Sequence, residues 1–555
     1  MRAEPAAEVL GNRELVRKAT VGFLVLGLGL RLFRYLADFP LWCDESRLAA
    51  NLIDLARGDG SFFGPLRYAQ TAPVGFLMLQ AAVIRLLGFT TWTLRLVPIA
   101  CGLASVLLFR MVAGRLLSGS ALLFAVAIFG VSWWPLGFAS EVKPYASDAL
   151  IALGLMGLAL RWLDRPDRSG WLWALAAASV LAVPASFPSV FAIGGACLAL
   201  APAVWKNGTR GTTAAFLTLA IAPAALFAVL TPMYRIRPMV REYLDQYWDG
   251  AFPPITEPLR LVGWLLETHT GMLFAYPVGA PYGGSVLTAL FVGVGAWVLW
   301  KRGHRELVVL CFAPLALCLV ASVFRAYPYG EKPRTMQFFM PAACLLAGQG
   351  LTTLLGLIAR PERRRRLTRA ALGGCVALAA VFVVFTVVHP YKLRRDLQAR
   401  EFAKWFWENL DHEAELACAR DDLGIVTDPR HWNGAWSDYF LCYREMYSKR
   451  HREDRPLRSE AITEENPLKI VFFYERPDGS PVFQTWLDEM ERSFVLRDRE
   501  EYKVRGWDPG APDFETNYYV YEFVPKADQE AVEIPMMAST GADAAVGRRE
   551  ERLDR

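Results

Sequence analysis

Apolar runs of bilayer length recur from about residue 20 to residue 388 and then stop. A transmembrane helix needs roughly 20 mostly apolar residues. The runs read as crossings are 20–37, 94–112, 117–138, 146–163, 170–184, 187–204, 212–232, 285–300, 306–324, 335–358 and 369–388. The pattern predicts a polytopic α-helical membrane protein with about eleven transmembrane helices plus interfacial helices. One further run, 71–88 ("TAPVGFLMLQAAVIRLLG"), is short and holds Gln80 and Arg85, so it is read as lying along the membrane surface.

Charge placement supports that exclusion. Cytoplasmic loops carry an excess of Lys and Arg. With 71–88 kept out of the bilayer, six basic connectors share the face of the N-terminus: "RKAT", "RMVAGR", "RWLDRPDRSG", "WKNGTR", "WKRGHR" and "RPERRRRLTR". Residues 38–93, 140–148, 183–189, 233–284, 325–335 and everything after 388 then lie outside. "RPERRRR" at 360–366 is read as a topology signal, with anionic-lipid contact as the lesser option.

Within the first external loop, residues 45–57 fit an amphipathic helix. Leu48, Leu52 and Leu55 share one face, and Arg47, Asn51, Asp54 and Arg57 another. Gly58 and Gly60 end it. Past residue 390 charge and aromatics rise. "LKIVFFYER" and "NYYVYEFVP" read as strands and "PVFQTWLDEMERSF" as a helix, predicting a small extracytoplasmic C-terminal α/β domain. The organisation expected is a cytoplasmic N-terminus (1–19), a membrane domain (20–388), the α/β domain (389–526) and a disordered tail (527–555).

Composition agrees: 54% of the 555 residues are hydrophobic, too apolar for a soluble chain. The net charge of +5 implies no nucleic-acid partner. Basic residues precede "VGFLVLGLGL", but no small-residue cleavage site follows, so this run is read as an uncleaved first span. Six of the nine cysteines lie in apolar runs, and no spacing resembles a zinc site. Cys43, Cys418 and Cys442 lie outside the runs, and a Cys418–Cys442 disulfide is open if that segment is extracytoplasmic.

The candidate chemistry is acidic and extracytoplasmic. Asp44 and Glu45 follow the first span in "PLWCDESRLAANL". One reading is a solvated pair capping the next helix. The other gathers them with Glu141, Lys143, Tyr145 and Asp148 of "SEVKPYASD". An acid one turn into a membrane helix, as at Asp148, is expensive without a partner or a wet cavity. Several carboxylates can hold a divalent cation, magnesium or manganese, here Asp44, Glu141 and Asp148; they can equally supply a general base. Lys143 and Arg334, the latter in "YPYGEKPRTMQFF", suit phosphate. Arg325, Tyr327, Tyr329, Glu331 and Lys332 frame Arg334. His269 sits with Glu257, Glu267, Tyr243 and Trp248 in a long loop that either packs or closes over substrate. Acids and phosphate-binding cations at bilayer depth point to a lipid-phosphate substrate.

The ordered set "WCDESRLAANL", "APVGFLMLQAAVIRLLG", "TLRLVPIACGLASVLLFR", "SEVKPYASDALIAL" and "YPYGEKPRTMQFFMPA" resembles the GT-C superfamily of polyprenyl-phosphate-dependent membrane glycosyltransferases. The resemblance runs over about residues 15–350 and is nearest the branch of protein mannosyltransferases and aminoarabinose transferases. It implies a GT-C fold and places Asp44 as catalytic base, with Glu45 as second acid and Asp148 as the acid of the next external loop. It also matches Arg95 to an arginine that opens a span. Relatives often carry Arg where Lys143 stands, and Lys lacks the bidentate fork.

The function implied is transfer of a sugar from a polyprenyl-phosphate donor to a glycan, lipid or protein acceptor, with inversion, in a bacterial inner membrane. A transporter or flippase of lipid-linked glycans is the alternative, and a binding scaffold a third reading. Transporters usually show paired interrupted helices in two related halves, and no such repeat is visible.

Overall fold

The computed structural model describes residues 13–68, 70–234, 238–410, 414–419, 425–426, 437–448, 457–473, 481–504 and 516–526. Most of the expected N-terminal segment and the expected tail at 527–555 lie outside the described residues. The chain divides into two units. The first holds residues 1–38 and 51–390, and the second holds 39–50 and 391–555.

The first unit is helical. Among the described residues seven helices are long and apolar enough to cross a membrane: Arg13–Leu36, Thr91–Leu116, Tyr145–Leu163, Ser189–Lys206, Arg210–Met233, Arg305–Val323 and Pro361–Val388. The other four expected crossings fall on shorter apolar helices, Gly119–Val131, Gly170–Ala182, Val286–Lys301 and Met340–Gly356. The chain is thus a multi-pass membrane protein. Run 71–88 forms the helix Val74–Leu87, whose 14 residues reach roughly 21 Å, less than a bilayer core.

The run 117–138 is not one helix. It breaks at Ser132, which turns extended (φ −60°, ψ 120°) before the short helix Trp133–Phe138. Pro135 has no N–H to give the Val131 carbonyl one turn back, so the helical ladder does not run on through this point. The amide of Trp133 instead donates to the Pro277 carbonyl at 2.8 Å.

Small residues set the helix spacing. A Cβ built on Gly350 would collide with the Phe291 carbonyl, and one on Gly295 with the Leu346 carbonyl. Helices Val286–Lys301 and Met340–Gly356 therefore touch backbone to backbone, the close approach that small residues allow in membranes. Arg31 is buried yet served by carbonyls: its Nη1 donates to Gly27 at 2.9 Å and Gly130 at 3.0 Å.

The second unit is α/β. Its sheet comprises β1 (Glu415–Ala419), β2 (Ile425–Val426), β3 (Leu468–Phe473), β4 (Phe494–Val504) and β5 (Thr516–Pro525), in the order β2-β1-β3-β5-β4. Among the described residues only β1 and β3 pair in parallel. Alternation along β5 sorts its side chains. Tyr519, Tyr521 and Phe523 pack with Phe483, Trp486 and Met490 of the helix Pro481–Ser493. Tyr518 and Val520 pack with Phe402 and Phe406 of the helix Arg394–Asn409 and with Phe440 and Tyr443 of the helix Ser437–Tyr447. Apolar residues on both faces make this a three-layer core. Cys418 and Cys442 are both buried and are not joined, so the disulfide left open above is not formed. Burial pushes the Cys418 thiol well above its usual value.

Candidate functional site

Asp44 and Glu45 open the helix Cys43–Arg57. Its apolar stripe is as expected: Leu48, Leu52 and Leu55 are buried. Gly58 ends it at φ +93°, a conformation that favours glycine. Asn51, expected on the polar face, is buried instead, where its side chain exchanges two hydrogen bonds with the backbone of Tyr68. The acidic pair is not a solvated one. Glu45 is buried and its Oε2 accepts from the Trp42 amide at 3.2 Å, so Glu45 caps its own helix. Asp44 remains partly exposed. Both acids lie in the second unit.

The remaining candidates lie in the first unit. "SEVKPYASD" forms the turn between the helices Trp133–Phe138 and Tyr145–Leu163. Glu141, Lys143 and Asp148 are all buried. The Lys143 ammonium donates to the Gln70 side chain. Asp148 accepts from Ser186 Oγ at 2.6 Å. Ser186 lies in "VPASFPS", the turn between two further helices, and the same turn receives the start of the helix Val74–Leu87, where the Gly75 amide donates to the Pro184 carbonyl at 2.7 Å. A Cβ on Gly75 would sit 2.9 Å from that oxygen, so glycine permits the contact. Three connectors distant in sequence thus meet around Asp148.

A fourth joins them. Tyr327 is close enough to couple electrostatically to both Asp148 and Tyr145, its ring meets Phe191 at 5.2 Å, and its hydroxyl donates to the Thr335 carbonyl at 3.0 Å. The next residue back is Arg334. Its Nη2 donates to Tyr247 Oη at 2.6 Å, and Lys332 Nζ lies 3.6 Å from the centre of the Tyr247 ring, a cation–π contact. Trp248 stands 5.1 Å from the Arg334 guanidinium. Glu331 is half-buried near these cations, and burial holds its carboxyl above the usual range although Lys332 and Arg334 pull it down.

The loop around His269 is packed onto this one. His269 Nδ1 is 2.8 Å from the Leu265 carbonyl, which can only accept, so Nδ1 carries the proton and Nε2 accepts from Tyr329 Oη at 3.0 Å. Burial depresses the His269 pKa, the Leu265 bond opposing it. Trp264 Nε1 donates to the Gly250 carbonyl at 2.8 Å.

Arg95 is buried and pairs with Asp38 at 3.8 Å, next to the Tyr35–Trp92 ring contact. Among the described residues no three His, Cys, Asp or Glu side chains are grouped so that they could hold a metal ion. Ser186, Gln70 and Tyr247 were not singled out by the sequence; Ser186 lay in a connector, 183–189, expected on the external face.

No family model and no curated protein matches the sequence. Solved structures do match. The structure of ArnT, an aminoarabinose transferase from Cupriavidus metallidurans, bound to undecaprenyl phosphate, aligns over 90% of this chain and 97% of its own, with a TM-score of 0.52 at 14% identity. The fold is GT-C-like. The same enzyme in its apo state gives a TM-score of 0.52 over 91% of this chain and 98% of its own, again at 14% identity. The oligosaccharyltransferase of Archaeoglobus fulgidus, tethered to an acceptor peptide, follows at a TM-score of 0.46 and 9% identity, over 93% of this chain and 75% of its own.

Proposed function

We propose that this chain is an integral membrane glycosyltransferase that transfers a sugar from a polyprenyl-phosphate donor to an extracytoplasmic glycan, lipid or protein acceptor, with inversion. The observation that carries the reading is the likeness to ArnT over nearly its whole length, in a structure that holds undecaprenyl phosphate. The buried Lys143 and the aromatic-framed Lys332 and Arg334 support it, since they are the residue types that bind a phosphate. In the reaction the acceptor hydroxyl attacks the anomeric carbon. The bond from that carbon to the phosphate oxygen breaks, and polyprenyl phosphate leaves with the electron pair. Asp44 takes the hydroxyl proton, while Arg334 and Lys143 balance the charge on the departing phosphate. An unperturbed Asp is a weak base near neutrality, so positioning and leaving-group stabilisation supply much of the acceleration.

The test uses the purified protein in nanodiscs with undecaprenyl-phosphate mannose and undecaprenyl-phosphate aminoarabinose, and measures release of undecaprenyl phosphate in the presence of glycan, lipid and peptide acceptors. Acceptor-dependent release that falls roughly 10²–10⁴-fold in Asp44→Asn supports the proposal. Absence of release, with transbilayer movement of either lipid in liposomes, replaces it by the flippase reading; neither activity refutes both.

A further inference from the structure

The second unit gives no sign in its own sequence of what it does, but its packing answers the question. Residues 39–50, which precede it by more than three hundred positions, belong to it. Two adjacent side chains on the helix Ser437–Tyr447 grip this segment on either side of the acidic pair. The Leu41 amide donates to Tyr443 Oη at 3.1 Å, and the Cys442 thiol donates to the Ser46 carbonyl at 3.1 Å. Leu41, Ser46, Cys442 and Tyr443 are all fully buried. Two more contacts complete the hold. Glu45 accepts from the Trp42 amide, and Lys392 Nζ sits 3.5 Å from the centre of the Trp42 ring. Residues 41, 42, 45 and 46 are therefore each fastened, while Asp44 between them stays partly exposed.

We infer that Tyr443 and Cys442 are positioning residues for Asp44, and that the C-terminal unit serves to hold this acid in place. The inference rests on the reading of Asp44 as the base. A base must keep hydrogen-bond reach of the proton it takes, and misplacement by about 1 Å can cost roughly a hundredfold. Asp44 lies in the first turn of its helix, where the backbone is only half committed to the helical ladder, so contacts from outside the helix set its place. Tyr443 is anchored in the aromatic core with Phe402, Phe406 and Phe440, so it transmits the rigidity of that core to the segment.

The experiment takes full-length protein in nanodiscs and the same two donors. Tyr443→Phe keeps the ring and removes the acceptor of the Leu41 amide. Cys442→Ala removes the thiol donor, and Cys442→Ser restores a donor. The inference expects kcat to fall about tenfold to a hundredfold in Tyr443→Phe and in Cys442→Ala, with the donor KM unchanged. It expects Cys442→Ser to recover most of kcat, and hydrogen exchange at Leu41 to quicken in Tyr443→Phe. In an Asp44→Asn background neither substitution lowers the residual rate further, because both act through Asp44. If Asp44→Asn abolishes transfer while Tyr443→Phe and Cys442→Ala keep kcat, the positioning role falls alone. If both lower the rate further in the Asp44→Asn background, they act through general destabilisation and the inference is wrong. Retained transfer in Asp44→Asn removes the base assignment itself, and turnover of neither donor by the unmodified protein removes the enzyme reading.

Discussion

The hydrogen bond from Ser186 to Asp148 gives the sharpest test of the site's electrostatics. At 2.6 Å it has the length of a hydroxyl donating to a charged carboxylate, and both residues are buried. A bond to a charged group contributes roughly 1.5–3 kcal/mol and a neutral one about 0.5–1.5. Ser186→Ala should then cost about 2 kcal/mol in the native background. In an Asp148→Asn background the amide oxygen still accepts the hydroxyl, but neutrally, and the same substitution should cost about 1 kcal/mol. The coupling in this double-mutant cycle is the difference, near 1 kcal/mol. The helical unit is larger than a domain for which 1 kcal/mol moves the melting point by about 2–4 °C, so the shift expected for Ser186→Ala alone is roughly 2–4 °C. Helical circular dichroism during thermal unfolding in nanodiscs follows the unit that carries the bond. Equal costs of Ser186→Ala in the two backgrounds would mean that Asp148 meets Ser186 as a neutral acid, and the reasoning from charge would be refuted.

Three other outcomes follow from the geometry. Gly350→Leu drives a side chain into the Phe291 carbonyl of the neighbouring helix, so it should abolish the monodisperse peak in size-exclusion chromatography, whereas Gly356→Leu, with open space at its Cβ, should leave it intact. His269 is depressed by burial, so its folded form holds the neutral ring; its stabilising contribution is complete above the free imidazole value near 6.5 and is lost as pH falls through the lower folded value. Hydrogen exchange of residues 265–274 should quicken over that window, and the change should vanish in His269→Gln. In the second unit, burial alone would raise the Glu522 carboxyl, but Lys469 at 2.8 Å and Arg497 together bring it below its ordinary value. Its contribution is present above about 4.5 and lost as pH falls through the lower folded value. Glu522→Gln should lower stability by about 1–3 kcal/mol near neutrality, between the exposed and buried ion-pair values, and flatten the acid limb of a denaturation series.

What the sequence disclosed and what it hid divide along the range of the interactions. The helix Cys43–Arg57 was legible because Leu48, Leu52 and Leu55 repeat within two turns and Gly58 stops them, all within one segment. The strands at 468–473 and 516–525 were legible because each is aromatic and β-branched over its own length. β4 was not, because "FVLRDREEYKV" reads as a charged run; it is an edge strand among the described residues, and Arg497, Asp498 and Arg499 are exposed there. The break at Ser132 was hidden by continuous hydrophobicity, although Pro135 carried the signal.

The site was legible as a set of residues and not as a set of contacts. Glu141, Lys143, Asp148 and Arg334 stood out because charge beside a membrane run is costly, and cost is visible in one dimension. Their partners were not visible, because a serine at 186, a glutamine at 70 and a tyrosine at 247 cost nothing where they stand. Each acquires meaning only when helices bring its connector against another. The same holds, over the longest reach in the chain, for Cys442 and Tyr443. A buried thiol and a core tyrosine on an α/β helix look like packing, and Tyr443 does pack in the aromatic core. What separates them from their neighbours is that the polar atom of each faces the backbone of residues 41–46, on either side of Asp44. Conserving the ring while removing the hydroxyl is therefore the change that tells packing from positioning at this helix.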